Sequence, residues 1–198
     1  MVYPVKMLVV FLHEASHALA ALISGGTVDK ISLSPQEGGY AITRGGNAFA
    51  IASSGYLGSL VFGVAIFYVA VKTKYDKVLM TVLGLFIMAL CGLYVREQFT
   101  LWFCLLTALG MFLMARFMSH NANDFALRII GLTSMIYVPW DIFSDTLARP
   151  DERSDARIIA EIYGGTTMGW GAIWLATSLG LVALCLRISL GKRSNIRF

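Results

Sequence analysis

The chain has 198 residues, of which 57% are hydrophobic and 14% charged, with a mean hydropathy of +0.70. A soluble domain carries about 25% charged residues, so most of this surface does not face water. Cys91, Cys104 and Cys185 are widely spaced in apolar runs, which excludes a disulfide framework. The net charge of +4 sits in the gaps between those runs, so it marks membrane topology and implies no nucleic-acid partner.

A helical crossing needs about 20 apolar residues. Six runs qualify, at 5–24, 48–71, 77–95, 98–117, 123–143 and 167–188. They predict an all-α polytopic membrane protein, multi-pass in the lipid bilayer, with a single membrane-embedded domain over 1–198. The first run has the outline of a secretory signal: Lys6, then apolar Met7–Leu12, then small residues at Ala18 and Ala20. His13, Glu14 and His17 interrupt that outline, so the run is read as a retained span.

His13-Glu14-Ala15-Ser16-His17 is an H-E-x-x-H pattern on this helix. At 3.6 residues per turn the two histidines stack on one face, and their imidazoles converge on one metal ion. Glu14 lies around the helix, placed to reach a water on that ion without ligating it. This is the donor set of a catalytic Zn2+ site, with His13 and His17 as ligands and Glu14 as general base. The competing reading is a chance match between hydrogen-bonded core histidines. Against it, two of the three histidines in the chain lie in the pattern, and each ionisable group in a span costs on the order of 2–3 kcal/mol unless paired or liganded.

After the first span, 28–35 and 40–44 alternate like short strands around Gln36-Glu37-Gly38-Gly39. They predict a β-hairpin between the first and second transmembrane helices. A sheet edge can hold an extended peptide through backbone hydrogen bonds, which makes Gly38, Gly39 and Tyr40 candidate substrate-binding residues. An ordinary interfacial hairpin fits the same residues. In the second span Gly55, Ser59 and Gly63 recur every four residues, as helix packing requires. Gly165 and Gly169 are read as a second packing pair.

A zinc site needs a third ligand. His120 lies in a polar gap beside Ser119 and Asn121, where a solvated loop is expected. In the fifth run Pro139 predicts a kink, which aims Asp141 inward as the third ligand. Asp145, four residues on, is the alternative or a supporting partner. The charged run from Asp151 to Arg157 reads as a solvated loop with Ser154 as N-cap. Basic residues are more numerous on the side of the termini, counting Lys192, Arg193 and Arg197, which favours cytosolic termini.

The chain resembles the site-2-protease class of intramembrane zinc metalloproteases, and more closely its M50B-like branch. The resemblance is carried by residues 13–19, Gly25-Gly26, Glu37-Gly38-Gly39, Arg44-Gly45-Gly46, Ser53–Ser59, Trp140-Asp141-Ile142, Ser144-Asp145 and Ser154-Asp155-Ala156. It implies zinc held by two histidines and a distant aspartate, cleavage of membrane-spanning protein substrates at membrane depth, and access from the cytosolic side. The charge bias points to the opposite opening. Where better-known members carry Leu-Asp-Gly around the third ligand, this chain has Trp140-Asp141-Ile142. The rival readings are a catalytically inactive pseudoprotease that binds or escorts membrane proteins and, last, a metal transporter.

Overall fold

The computed structural model describes residues 3–36, 38–151 and 153–189. Glu37 of the expected turn and the basic residues Lys192, Arg193 and Arg197 lie outside the described residues. Helix α1 (Tyr3–Ile23) leads into a hairpin of β1 (Thr27–Ser34) and β2 (Gly38–Arg44). Then come α2 (Ala48–Lys72), α3 (Asp76–Tyr94), α4 (Gln98–Phe117) and α5 (His120–Phe143), the last ending in a π-helical turn at Ser144–Ala148. Short α6 (Asp155–Tyr163) and long α7 (Thr167–Ser189) follow. All of these helices except α6 are long and apolar enough to cross a membrane, six in number. At about 1.5 Å per residue, 21 residues of α1 rise about 31 Å, one bilayer core. The protein is a multi-pass integral membrane protein.

Helix α2 is the hub, packed on α1, α5 and α7. Its small residues explain the close approach. A Cβ on Gly58 would stand 2.6 Å from Ser16 of α1, and one on Gly63 2.5 Å from Ser134 of α5. Ser134 donates across the interface to the carbonyl of Ser59 at 2.9 Å, and Ser59 donates back to the carbonyl of Gly55 at 2.8 Å. Both buried hydroxyls are thereby satisfied. The other proposed pair behaves differently. Gly165 lies in the loop before α7 at φ +90° beside Trp170, and Gly169 meets only Thr166. They shape a helix start and pack no second helix.

Side-chain caps set several helix starts, as the sequence suggests at Ser154. Asn47, Ser119 and Ser154 accept from the backbone amides of Ala50, Ala122 and Arg157. His120 is the exposed first residue of α5. The helix continues through Pro139 for another turn before widening to the π turn. In the hairpin, Ser32 pairs with Tyr40 and Leu33 with Gly39. Gly38 and Gly39 thus belong to β2, although the sequence reading put them in the turn.

Candidate metal centre

Helix α1 brings His13, Glu14 and His17 to the middle of the bundle, with Glu14 5% and His17 8% exposed. The imidazole centroids are 4.8 Å apart, edge to face. The ring of Tyr56 packs on His13 at 5.0 Å and fixes its orientation from α2. His17 Nδ1 lies 2.7 Å from the carbonyl oxygen of Ile51. Only a protonated Nδ1 makes that contact favourable, so in the neutral ring the Nε2 lone pair points into the site.

What meets those nitrogens is Asp155, the first residue of α6. Its Oδ2 lies 3.2 Å from His13 Nε2 and 3.3 Å from His17 Nε2. The three ligand atoms lie within 4.8 Å of one another, the one such group of histidine, cysteine and carboxylate side chains among the described residues. Bonds of about 2.0 Å at tetrahedral angles set neighbouring ligand atoms about 3.3 Å apart, which suits zinc. Asp155 Oδ2 is also buried without a hydrogen-bond partner. Lone pairs converging at this distance form a donor set that a cation between them would satisfy.

Gly55 forms the floor of this cradle. A Cβ there would stand 2.5 Å from Asp155 Oδ2, His13 Nε2 and His17 Cε1 alike. The small-residue stripe of α2 therefore serves the site as well as helix packing.

The third ligand expected at Asp141, with Asp145 as alternative, is not where the histidines converge. Both aspartates line the same cavity of about 1110 Å³, as do Glu14, Tyr56 and Asp155. Asp141 is held by a side-chain hydrogen bond with Tyr137. Asp145 accepts from Tyr56 Oη at 3.0 Å on one oxygen and from Arg149 at 2.8 Å on the other. The reason is topological. After the π turn the chain folds back, and the start of α6 drops Asp155 beside α1 and α2. Ser154 and Asp155 read equally well in sequence as an N-cap and a first-turn acid, which hid their second use. Gly55 is likewise masked by its packing role.

The hairpin covers the other wall. The outer side of β2, from Gly38 to Thr43, lines the cavity. A Cβ on Gly39 would stand 2.9 Å from Glu14 Cγ and 3.0 Å from Glu14 Oε1, so β2 crosses directly over the carboxylate. Ala41 adds a backbone hydrogen bond to Glu14. The candidate general base and the candidate substrate-binding residues Gly38, Gly39 and Tyr40 thus share one cavity wall.

No curated protein and no solved structure matches the chain significantly. A family model, Peptidase M50B-like, matches residues 1–185. With that match over nearly the whole sequence, the chain belongs to the Peptidase M50B-like family, of membrane metalloprotease type.

Proposed function

We propose that the protein hydrolyses peptide bonds of membrane-spanning substrates, with zinc held by His13, His17 and Asp155 and with Glu14 as general base. Zinc held there would supply Lewis acidity and would lower the pKa of a bound water toward neutrality. Glu14, beside the ligands, accepts a proton from the water that attacks the scissile carbonyl. It then returns the proton to the departing amine as the carbon–nitrogen bond breaks. The free edge of β2, at Gly38, Gly39 and Tyr40, holds the substrate extended by main-chain hydrogen bonds. Tyr56 and Ile51 keep the two imidazoles aimed. Asp141 and Asp145 shape the polar cavity beside the ligands.

The observation that carries this reading is the convergence of three lone-pair donors on the glycine cradle at Gly55, with Glu14 alongside and beneath a strand edge. The test pairs metal analysis with cleavage. Wild-type protein should hold one equivalent of zinc and His17→Ala none. Glu14→Gln should keep the zinc and the fold but lose cleavage by about a thousandfold or more, the scale of a general base acting with its metal site. Cleavage by Glu14→Gln at the wild-type rate would overturn the base assignment. Equal, metal-free preparations of wild type and His17→Ala would overturn the site.

A further inference from the structure

The hairpin has two long edges, and they are treated differently. The β1 edge is closed by the turn between α3 and α4. Ile31 bridges Val95 in parallel, and the amide of Leu33 donates to Thr100 Oγ1 at 2.8 Å. β2 borders the cavity from Gly38 to Thr43, with the Ala41 backbone already hydrogen-bonded to Glu14. A short two-stranded ribbon is marginal by itself, so its placement depends on what docks it to the bundle.

Among the side chains that dock the hairpin, Glu97 reaches both strands. The residue occupies the N-cap position of α4 but its side chain makes no cap hydrogen bond. Its carboxylate turns away from its own helix toward the hairpin. Oε2 accepts from Ser32 Oγ. Oε1 accepts from Tyr40 Oη at 2.8 Å and from Lys30 Nζ at 3.1 Å. Lys30 Nζ also donates to Tyr40 Oη at 2.8 Å and lies over the Tyr40 ring at 4.9 Å. One carboxylate therefore ties both strands to the helix bundle. Ser32 and Tyr40 are directly paired across the ribbon, so their side chains share a face with that of Lys30.

Successive residues of a strand face opposite ways. Tyr40 reaches Glu97 on one face of β2, and its neighbour Gly39 rests on Glu14 on the other. The anchor is thus one residue from the point where the strand crosses the candidate base. We propose that Glu97 is a positioning residue: it clamps the hairpin from outside the cavity, so that the free edge of β2 presents a bound substrate strand in register with Glu14. The clamp itself is a statement about the hairpin. Its consequence for cleavage rests on the protease reading above.

The experiment compares wild type, Glu97→Ala and Glu97→Gln as full-length protein in lipid nanodiscs. Hydrogen–deuterium exchange is read over 38–44, with zinc content and cleavage of a dye-quenched single-span peptide. Glu97→Ala should speed exchange in β2 about tenfold or more, leave exchange in α1 and zinc content unchanged, and raise KM for the peptide severalfold more than it lowers kcat. Glu97→Gln retains an acceptor for Tyr40 or Ser32 and should fall between the two. Unchanged β2 exchange in Glu97→Ala overturns the clamp, whatever the activity. Faster β2 exchange with unchanged KM and kcat overturns its positioning role. If β2 loosens as expected and the wild type holds zinc but cleaves no peptide, the clamp is supported and the protease reading is what fails. A merely structural role would lower zinc content and loosen α1 together with β2, which also counts against the proposal.

Discussion

Helices α1 and α4 are nearly equal in length, 21 and 20 residues, but 67% of the most apolar stretch of α1 is buried inside the protein against 22% for α4. The first carries His13, Glu14 and His17. The second turns Leu101, Trp102, Leu106, Leu109 and Leu113 outward, each more than a third exposed, onto what a membrane protein presents to lipid. The two treat polar groups accordingly. His13, Glu14 and His17 of α1 are enclosed by protein, with Glu14 and His17 buried, whereas the carboxylate nearest α4, at Glu97, stands in the turn before the first residue of that helix. A span can carry chemistry where neighbouring helices shield it from lipid, and a lipid-facing span can help the site only from its end. The contrast suggests variants that break one region and spare the other.

The largest effect is expected at Asp155. Asp155→Ala should remove zinc as completely as His17→Ala, because it deletes one of three converging ligand atoms. Asp141→Ala, in the same cavity but hydrogen-bonded with Tyr137, should retain stoichiometric zinc. Metal analysis of the two purified variants decides between them. Zinc lost from Asp141→Ala and kept in Asp155→Ala would reverse the ligand assignment.

Next comes the cradle. Gly55→Ala places a methyl group 2.5 Å from atoms of all three ligand residues, and should weaken zinc binding at least tenfold while destabilising the fold by about 1–3 kcal/mol through overpacking. Gly58→Ala is the matched control. It meets Ser16 on the same helix pair at 2.6 Å, so it should cost similar stability and leave zinc in place. Zinc titration with thermal unfolding separates the two outcomes.

The sequence announces α1 and its metal motif because rare ionisable residues at helical spacing stand out against an apolar run. Five of the six long helices likewise follow from unbroken apolar stretches, and their ends fall within a residue or two of the expected ones. The fifth starts three residues early, at His120, because Ser119 caps it ahead of the apolar stretch. What the sequence hides is where the chain returns. Asp141 and Asp145 stand at the end of a span, and the natural inference is that a ligand comes from the span. The carboxylate that meets both histidines is instead Asp155, brought back by a π turn and a loop whose path no periodicity encodes. Glu97 is hidden for a related reason. Before a helix it reads as a capping residue, and only the docked hairpin shows that its carboxylate faces the other way.

A smaller effect separates buried from lipid-facing leucines. Leu60 of α2 is fully buried, and Leu106 of α4 is 63% exposed. In a bilayer the unfolded reference already surrounds leucine with hydrocarbon, so only lost packing counts. Leu60→Ala should therefore cost about 2 kcal/mol, from its cavity, and Leu106→Ala close to nothing. Equal losses in a steric-trap or denaturant series would show that α4 is covered by protein in the membrane.

The smallest expected effect is the pH dependence of the hairpin clamp. Hydrogen bonds from Ser32, Tyr40 and Lys30 pull the Glu97 carboxyl down to about 2 from an ordinary value of 4.5. The clamped state therefore favours the ionised form more than a released hairpin does. Its contribution is complete above pH 4.5 and is lost as the pH falls toward 2. Lys30 is raised by the same contacts and keeps its charge through this window. Arg96, the neighbouring cation, is turned to the carbonyls of Val95 and Leu93. A spin label on exposed Gln36 near the hairpin tip should gain mobility between pH 4.5 and 2, and Glu97→Gln should flatten that transition. Because Glu97 is partly solvated, the change should be modest and should shrink with added salt. A transition of the same size in Glu97→Gln would assign it to the acids of the cavity and remove Glu97 as the titrating group.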